Sequence, residues 1–240
     1  MLTVSETYQS IVSGNYRVEC RLLVEASDNT TKTVNETELF SINIAEHMLD
    51  EQFSIGGATA AEIDVTMIDP LDWSLPTMAK LQPQFRIYNG TQTSEWLPKG
   101  VFYVDTRERT KYVNGDNKLT LHGYDAMLMA EQEYPTVSWD TATDTQVLNE
   151  ICTNLGWTLD DETAAFFNTT RAGYTLPIPI KYSYREVLQS IAAVNVGNFV
   201  FDEYGHLRLV RFNALPAETY YLIDEHEDKI TIGGDRIVLQ

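Results

Sequence analysis

Between residues 16 and 124 the apolar positions of this chain tend to recur at every second residue. In "YRVECRLLVEA", Tyr16, Val18, Cys20, Leu22 and Val24 fall on one side and Arg17, Glu19 and Arg21 on the other, as in a strand with one buried face. "AEIDVTMIDP" alternates Ile63, Val65 and Met67 and stops at Pro70. "QFRIYNGT" alternates Phe85 and Ile87 and meets an Asn-Gly turn at Asn89-Gly90. "GVFYVDTRERTKYVNGDNKLTLHG" predicts two strands around a second Asn-Gly pair, Asn114-Gly115, which is a hairpin signal. Short strands separated by turn residues indicate a barrel or a sandwich, and the periodicity does not choose between them.

From Asp140 the period changes. "TDTQVLNEICTNLG" opens with Thr143 and Gln146 at capping-box spacing, carries Val147, Leu148, Ile151, Cys152 and Leu155 on one helical stripe, and stops at Gly156. The same grammar returns in "SYREVLQSIAAVNVG", with Ser183 and Glu186 as the box, Val187, Leu188 and Ile191 as the stripe, and Gly197 as the stop. "NFVFDEYGHLRLVRF" then returns to period two around a turn at Gly205. These segments predict a small α+β unit with two amphipathic helices. "DKITIGGDRIVLQ" predicts a last hairpin, with Ile230 and Ile232 before Gly233-Gly234 and Ile237 and Leu239 after. Ending inside an apolar strand leaves an open edge, which suggests a fragment of a longer protein or a strand that pairs with another subunit.

Charge narrows the function classes. Seventeen basic against thirty-five acidic residues give a formal charge of −18. The few Lys and Arg are scattered, whereas a phosphate-gripping protein needs them clustered, so sequence-directed nucleic-acid binding is not expected. The apolar runs are too short to span a membrane, and no secretory signal follows Met1. Cys20 and Cys152 are too far apart for a metal knuckle, and both sit in apolar patterns that predict buried free thiols.

The densest group of reactive side chains is "LHGYDAML", with His122, Tyr124 and Asp125. In an extended segment His122 and Tyr124 share a face and Asp125 takes the other, so they do not converge as a hydrolase requires. Leu119 and Leu121 instead finish a strand, Gly123 permits a turn, and Asp125 caps a helix "AMLMAEQEY" that Pro135 ends. "IDEHED", residues 223–228 around His226, lacks the ligand alternation and glycine of a calcium loop. Gly56-Gly57 has no following Lys and no G-x-G-x-x-G, so it is not a phosphate cradle. Trp73, Trp96, Trp139 and Trp157 would be the residues of a sugar-stacking platform. No catalytic, cofactor-binding or metal-binding residue is assigned.

"FSIGGATAAEIDVTMIDP", "GVFYVDTRER" leading into "KLTLHGYDAMLMAEQEYP", "VLNEICTNLGWTL" and "YTLPIPIKYSYREVLQSIAAVNVGNFVFDEYGHLRLVRF" follow one another in the chain. In that order they resemble the baseplate hub, or tail-tip, proteins of bacteriophage tails and related contractile particles. The resemblance covers residues 50–212. It implies an α+β, mainly β fold: a tail-tube-like β-barrel over 1–134, an α+β insertion over 135–214, and the truncated start of a second barrel over 215–240. It also implies a structural protein without catalysis or cofactor, a homotrimer in the full-length assembly whose partners are the tail tube and the spike or baseplate. DNA would be its non-adhesive cargo, because an acidic lumen offers no counter-charge. The expected location is the virion or phage-like particle, after assembly in the bacterial cytoplasm. The alternative is a carbohydrate-binding tail-tip module that recognises the bacterial wall.

Overall fold

The computed structural model describes residues 4–25, 30–46, 55–70, 74–111, 117–135, 140–169, 173–177 and 181–212, together with four short strands further on. By its contacts the chain divides into Met1–Val210 and Arg211–Gln240.

The first unit opens with helix α1 (Glu6–Val12), capped by the Ser5 hydroxyl, which accepts from the Tyr8 amide. Eight strands of one sheet follow. They are β1 (Arg17–Glu25), β2 (Thr31–Asn35), β3 (Leu39–Ala45), β4 (Glu62–Ile68), β5 (Lys80–Tyr88), β6 (Leu97–Pro98), β7 (Phe102–Thr110) and β8 (Lys118–Asp125). Their order is β2-β1-β5-β7-β8-β4-β3, with β6 beside β5, and every pairing is antiparallel. The sheet curls around one core, so that Leu22, Val24 and Val34 near one end share it with Ile63, Val65 and Met67 near the other. A single 3-10 turn, Glu36–Glu38, links β2 to β3, the two end strands.

The alternation read from the sequence carries this core. On β4, Ile63, Val65 and Met67 are fully buried, and on β8 every second residue is buried. Pro83 sits inside β5 without breaking the ladder. It lies where the second neighbour of β5 changes from β7 to β6, and its carbonyl still accepts from the Lys99 amide at 2.9 Å. The β7–β8 hairpin is present, although its turn at Asn114-Gly115 falls outside the described residues.

Asp125 behaves as expected of a cap: its Oδ1 accepts from the Met127 amide at 2.9 Å. What it caps is a 3-10 helix, Ala126–Glu131, and not an α-helix reaching Tyr134. Gly123 also differs from expectation. It lies within β8, where a Cβ would run into the Tyr103 carbonyl, so it serves the close approach of β7 at the bulge between Val104 and Thr106.

The second core is built from residues 126–209 together with Ala58. Its elements are β9 (Thr141–Thr143), α2 (Asp144–Leu155), α3 (Asp161–Asn168), β10 (Thr175–Pro177), α4 (Tyr184–Val194), β11 (Gly197–Phe201) and β12 (Leu207–Arg211). Both predicted capping boxes form: Thr143 with Gln146, and Ser183 with Glu186. The apolar stripes of α2 and α4 are buried as their spacing requires, except that Leu155 at the end of α2 is only partly covered, and Gly156 ends α2 at φ 67°. Helix α3 carries no such signal, because only Thr163 and Phe167 of its eight residues are buried and no long stripe announces it. The end of α4 corrects the expectation for Gly197, which is already the first residue of β11. The left-handed residue after the helix is Val196, at φ 54°.

In the second unit Tyr220–Tyr221 pairs with Val238–Leu239 and Thr231–Ile232 with Asp235–Arg236, both antiparallel. The inner pair is the hairpin expected across Gly233-Gly234.

Candidate functional site

The two cores of the first unit meet along residues 55–61. Gly56 donates its amide to the Gly197 carbonyl at 2.9 Å, Gly57 donates to Asn198 Oδ1 at 2.7 Å, and Phe199 donates to the Gly57 carbonyl at 2.8 Å. A parallel bridge joins Ala58 to Phe199. The glycine pair is what allows this approach. A Cβ at Gly56 would stand 2.8 Å from Ala193 Cβ, and one at Gly57 would stand 3.1 Å from Asn198 Cγ. Gly56-Gly57 is thus a packing device between the curled sheet and α4–β11.

Asp125 lies at the same junction. One carboxylate oxygen accepts from Met127 and the other from the Ala61 amide at 2.9 Å, while its own amide donates to the Ala61 carbonyl at 3.0 Å. Burial pushes the carboxyl up to about 6, and the two amides and the nearby Arg185 pull it back only in part. A cavity of about 150 Å³ adjoins it, lined by Phe102 on β7, Lys99 just after β6, and Phe201, Asp202, Glu203 and Arg208 from the β11–β12 hairpin, among others.

His122 and Tyr124 project together on the outer face of β8 with their rings edge to face, 4.9 Å apart. His122 Nδ1 lies 2.9 Å from Asp64 Oδ1, and Asp125 is on the opposite face, as the alternation required. The three residues do not converge.

A second polar cluster was not legible in the sequence. Arg208 on β12 reaches Asp160 Oδ2 at 3.1 Å and Asp202 Oδ2 at 3.3 Å. Asp202 Oδ1 accepts from the Tyr204 and His206 amides and shapes the turn at Gly205. Asp160 Oδ1 meanwhile caps α3 through the Thr163 amide. These groups border an open depression of about 470 Å³ with Asp161 and Glu162 on its rim. Asp160 and Arg208 are 48 residues apart, and no local motif links them.

Trp157 packs in the core, edge to face with Phe201 at 4.9 Å, and the Trp96 ring is held against Arg21 and Arg86, whose guanidinium carbons lie 4.3 and 4.4 Å from its centre. Trp73, Trp139 and the acidic run at 223–228 fall outside the described residues. Cys152 is a buried free thiol pushed up to about 11 by burial, whereas Cys20 is only half-buried. Among the described residues no cluster of His, Cys, Asp and Glu is placed to hold a metal ion, and no helix is long and apolar enough to cross a membrane.

No protein-family model and no curated sequence matches this chain. Its fold does match solved structures. One is the 43 kDa tail protein of prophage MuSo2 from Shewanella oneidensis, with a TM-score of 0.50 and 15% identity over 87% of this chain. Another is a chain of the Francisella PdpA-VgrG complex, with a TM-score of 0.51 and 10% identity over 80% of this chain. The chain spans 59% of the Shewanella protein and 28% of the Francisella one. At these identities the likeness establishes the fold: an α+β, mainly β architecture of the tail and baseplate type.

Proposed function

We propose that the chain is a structural protein of a phage tail or phage-like injection particle, a baseplate hub that joins the tail tube to the spike. The observation that carries this reading is the match of 87% of the chain to the Shewanella tail protein. In this reading residues 1–134 form a tube-like barrel, 135–214 an inserted α+β domain, and 215–240 the first strands of a second barrel. The hub is a homotrimer whose central channel passes DNA or a tape-measure protein. A charge of −18 supports passage without adhesion, since a carboxylate-lined wall repels phosphates.

The role is mechanical and not catalytic. His122 is engaged by Asp64, both oxygens of Asp125 are taken by backbone amides, and Arg208 is shared among Asp160, Asp202 and Glu203. The placements of Trp96 and Trp157 favour a hub over a sugar-binding module, because one ring is covered by guanidinium groups and the other lies in the core.

Particles purified from a producing strain test the reading. Peptides of this protein are expected in the particles at trimer stoichiometry, with gold-labelled antibody at the tail tip. Particles that lack the protein, or saturable binding of the purified protein to wall glycans, would overturn it.

A further inference from the structure

The basic residues are scattered along the chain, but the sheet gathers three of them. Arg17 and Arg21 lie on β1, on the face turned away from the buried Leu22 and Val24, and Arg86 on β5 stands opposite Glu19 between them. Arg21 and Arg86 both rest against the Trp96 ring. Their bonding is unequal. Arg86 pairs with Glu19 at 2.7 Å, whereas Arg21 Nε donates to the neutral Gln84 side chain at 2.8 Å. Arg17 is exposed, and among the described residues no carboxylate pairs with it or with Arg21. Three positive charges thus face one negative charge, in a chain whose formal charge is −18. Like charges on neighbouring strands repel, and burial, followed by the charge of Arg86, holds the Arg21 guanidinium below its ordinary value. Negative charge brought from outside would relieve that repulsion.

We infer that this outer face of β1 and β5 docks an extended acidic segment of a partner protein, with carboxylates on Arg17 and Arg21. The inference goes beyond the tail role and stands on the patch alone. Charge complementarity selects the chemistry of the partner, and spacing selects its form. Arg17 and Arg21 are four residues apart on one strand, about 13 Å, too far for one carboxylate or one free phosphate to bridge. An extended segment with acids at the same spacing reaches both. The terminal nitrogens of a guanidinium grip a carboxylate with paired N–H donors, and Arg21 has only its Nε engaged by Gln84. Contact with Trp96 already restricts the Arg21 side chain, so less freedom is lost when the partner binds. Nucleic acid is the poorer fit. Glu19 stands amid the three arginines, the rest of the chain repels a long polyanion, and guanidinium groups occupy the Trp96 ring on which a base would stack.

Fluorescence anisotropy with the whole chain tests this. The probe is a labelled Ser/Thr peptide with glutamates four positions apart, and its glutamine counterpart is the control. The glutamate peptide should bind saturably and more weakly as salt rises, and the glutamine peptide should not bind. R17Q and R21Q should each weaken binding several-fold and R17Q/R21Q should abolish it, while K111Q, which removes an exposed charge outside the patch, should leave it unchanged. R17E/R21E should take up the lysine version of the peptide, which shows that the variant is folded and that charge directs the contact. No saturable binding of the glutamate peptide, or binding indifferent to R17Q/R21Q, would overturn the inference. So would displacement of the peptide by inorganic phosphate or by a single-stranded oligonucleotide at lower concentration than by unlabelled glutamate peptide, which would make the patch a phosphate site. Concentration-dependent self-association that R17Q/R21Q abolishes would assign the patch to a second copy and overturn a separate partner. None of these failures touches the tail role, which is decided by the presence of the protein in particles.

Discussion

Gly57 donates its amide to the side chain of Asn198 at 2.7 Å, a bond that closes a loop of 141 residues and ties the curled sheet to the helical part of the first unit. Asn198 is fully buried, so no water can replace the acceptor. Asn198→Ala leaves a buried N–H without a partner and opens a small void, and should cost about 2 kcal/mol. Urea unfolding at neutral pH measures it. A change below about 0.5 kcal/mol would mean that the clasp contributes no stability.

Asp125 should give the protein a distinctive dependence on pH. Its folded-state value of about 6 lies above the ordinary value of 3.8, so the native state holds the proton more tightly than the unfolded chain does. The stability that follows is fully present below about pH 4 and is lost as pH rises to 6 and beyond. A rise of that size corresponds to roughly 3 kcal/mol. Asp125→Asn cannot ionise and removes this slope, at the constant cost of turning an amide NH₂ toward a backbone donor. The parent's advantage in unfolding free energy over the variant should therefore be smaller at pH 7 than at pH 4.5. A gap independent of pH would contradict the assignment.

Val196 occupies the left-handed region at φ 54°, where a β-branched side chain is strained, and it is 39% exposed, so little packing holds it there. Val196→Gly should stabilise the protein by about 1 kcal/mol, net of the extra freedom glycine gives the unfolded chain. A raised midpoint in thermal unfolding checks this.

The same position shows where reading from sequence runs out. A glycine just past an apolar stripe signals the end of a helix, and Gly156 fulfils that role. Gly197 sits where a second stop is expected, but a Cβ there would meet the Val210 carbonyl at 2.6 Å, a contact with β12 that local pattern cannot foresee. Strands with unbroken alternation, β1, β4 and β8, are legible, as are the two capping boxes. β3 is not, because the bulge at Phe40 shifts the phase between Leu39 and Ile42. Helices α1 and α3 are too short to show a period. The polar clusters are legible only where one segment holds both partners: the Asp125 cap can be read, but its bond to Ala61, 64 residues away, cannot. The chain order of the strands and helices, more than any motif, points to the tail-type fold.

Arg208 should matter for stability more than its position on a hairpin suggests. It lies between Asp160 and Asp202, whose side chains are 9% and 3% exposed, and its guanidinium is paired with both. Arg208→Ala takes the guanidinium away from two nearly buried carboxylates, with only the His206 ring, 3.3 Å from Asp202 Oδ2, still beside one of them, and breaking a buried ion pair from one side costs about 3 kcal/mol. Because Asp160 caps α3 and Asp202 shapes the Gly205 turn, amides of 161–168 and 202–206 should exchange faster in the variant. Arg208→Lys keeps the charge but not the two-pronged geometry and should recover only part of the loss. Arg208→Ala combined with Asp202→Asn removes one of the stranded charges and should be more stable than Arg208→Ala alone. If the double variant is no better than the single one, the cost lies in the lost packing of the arginine stem and not in the stranded carboxylates.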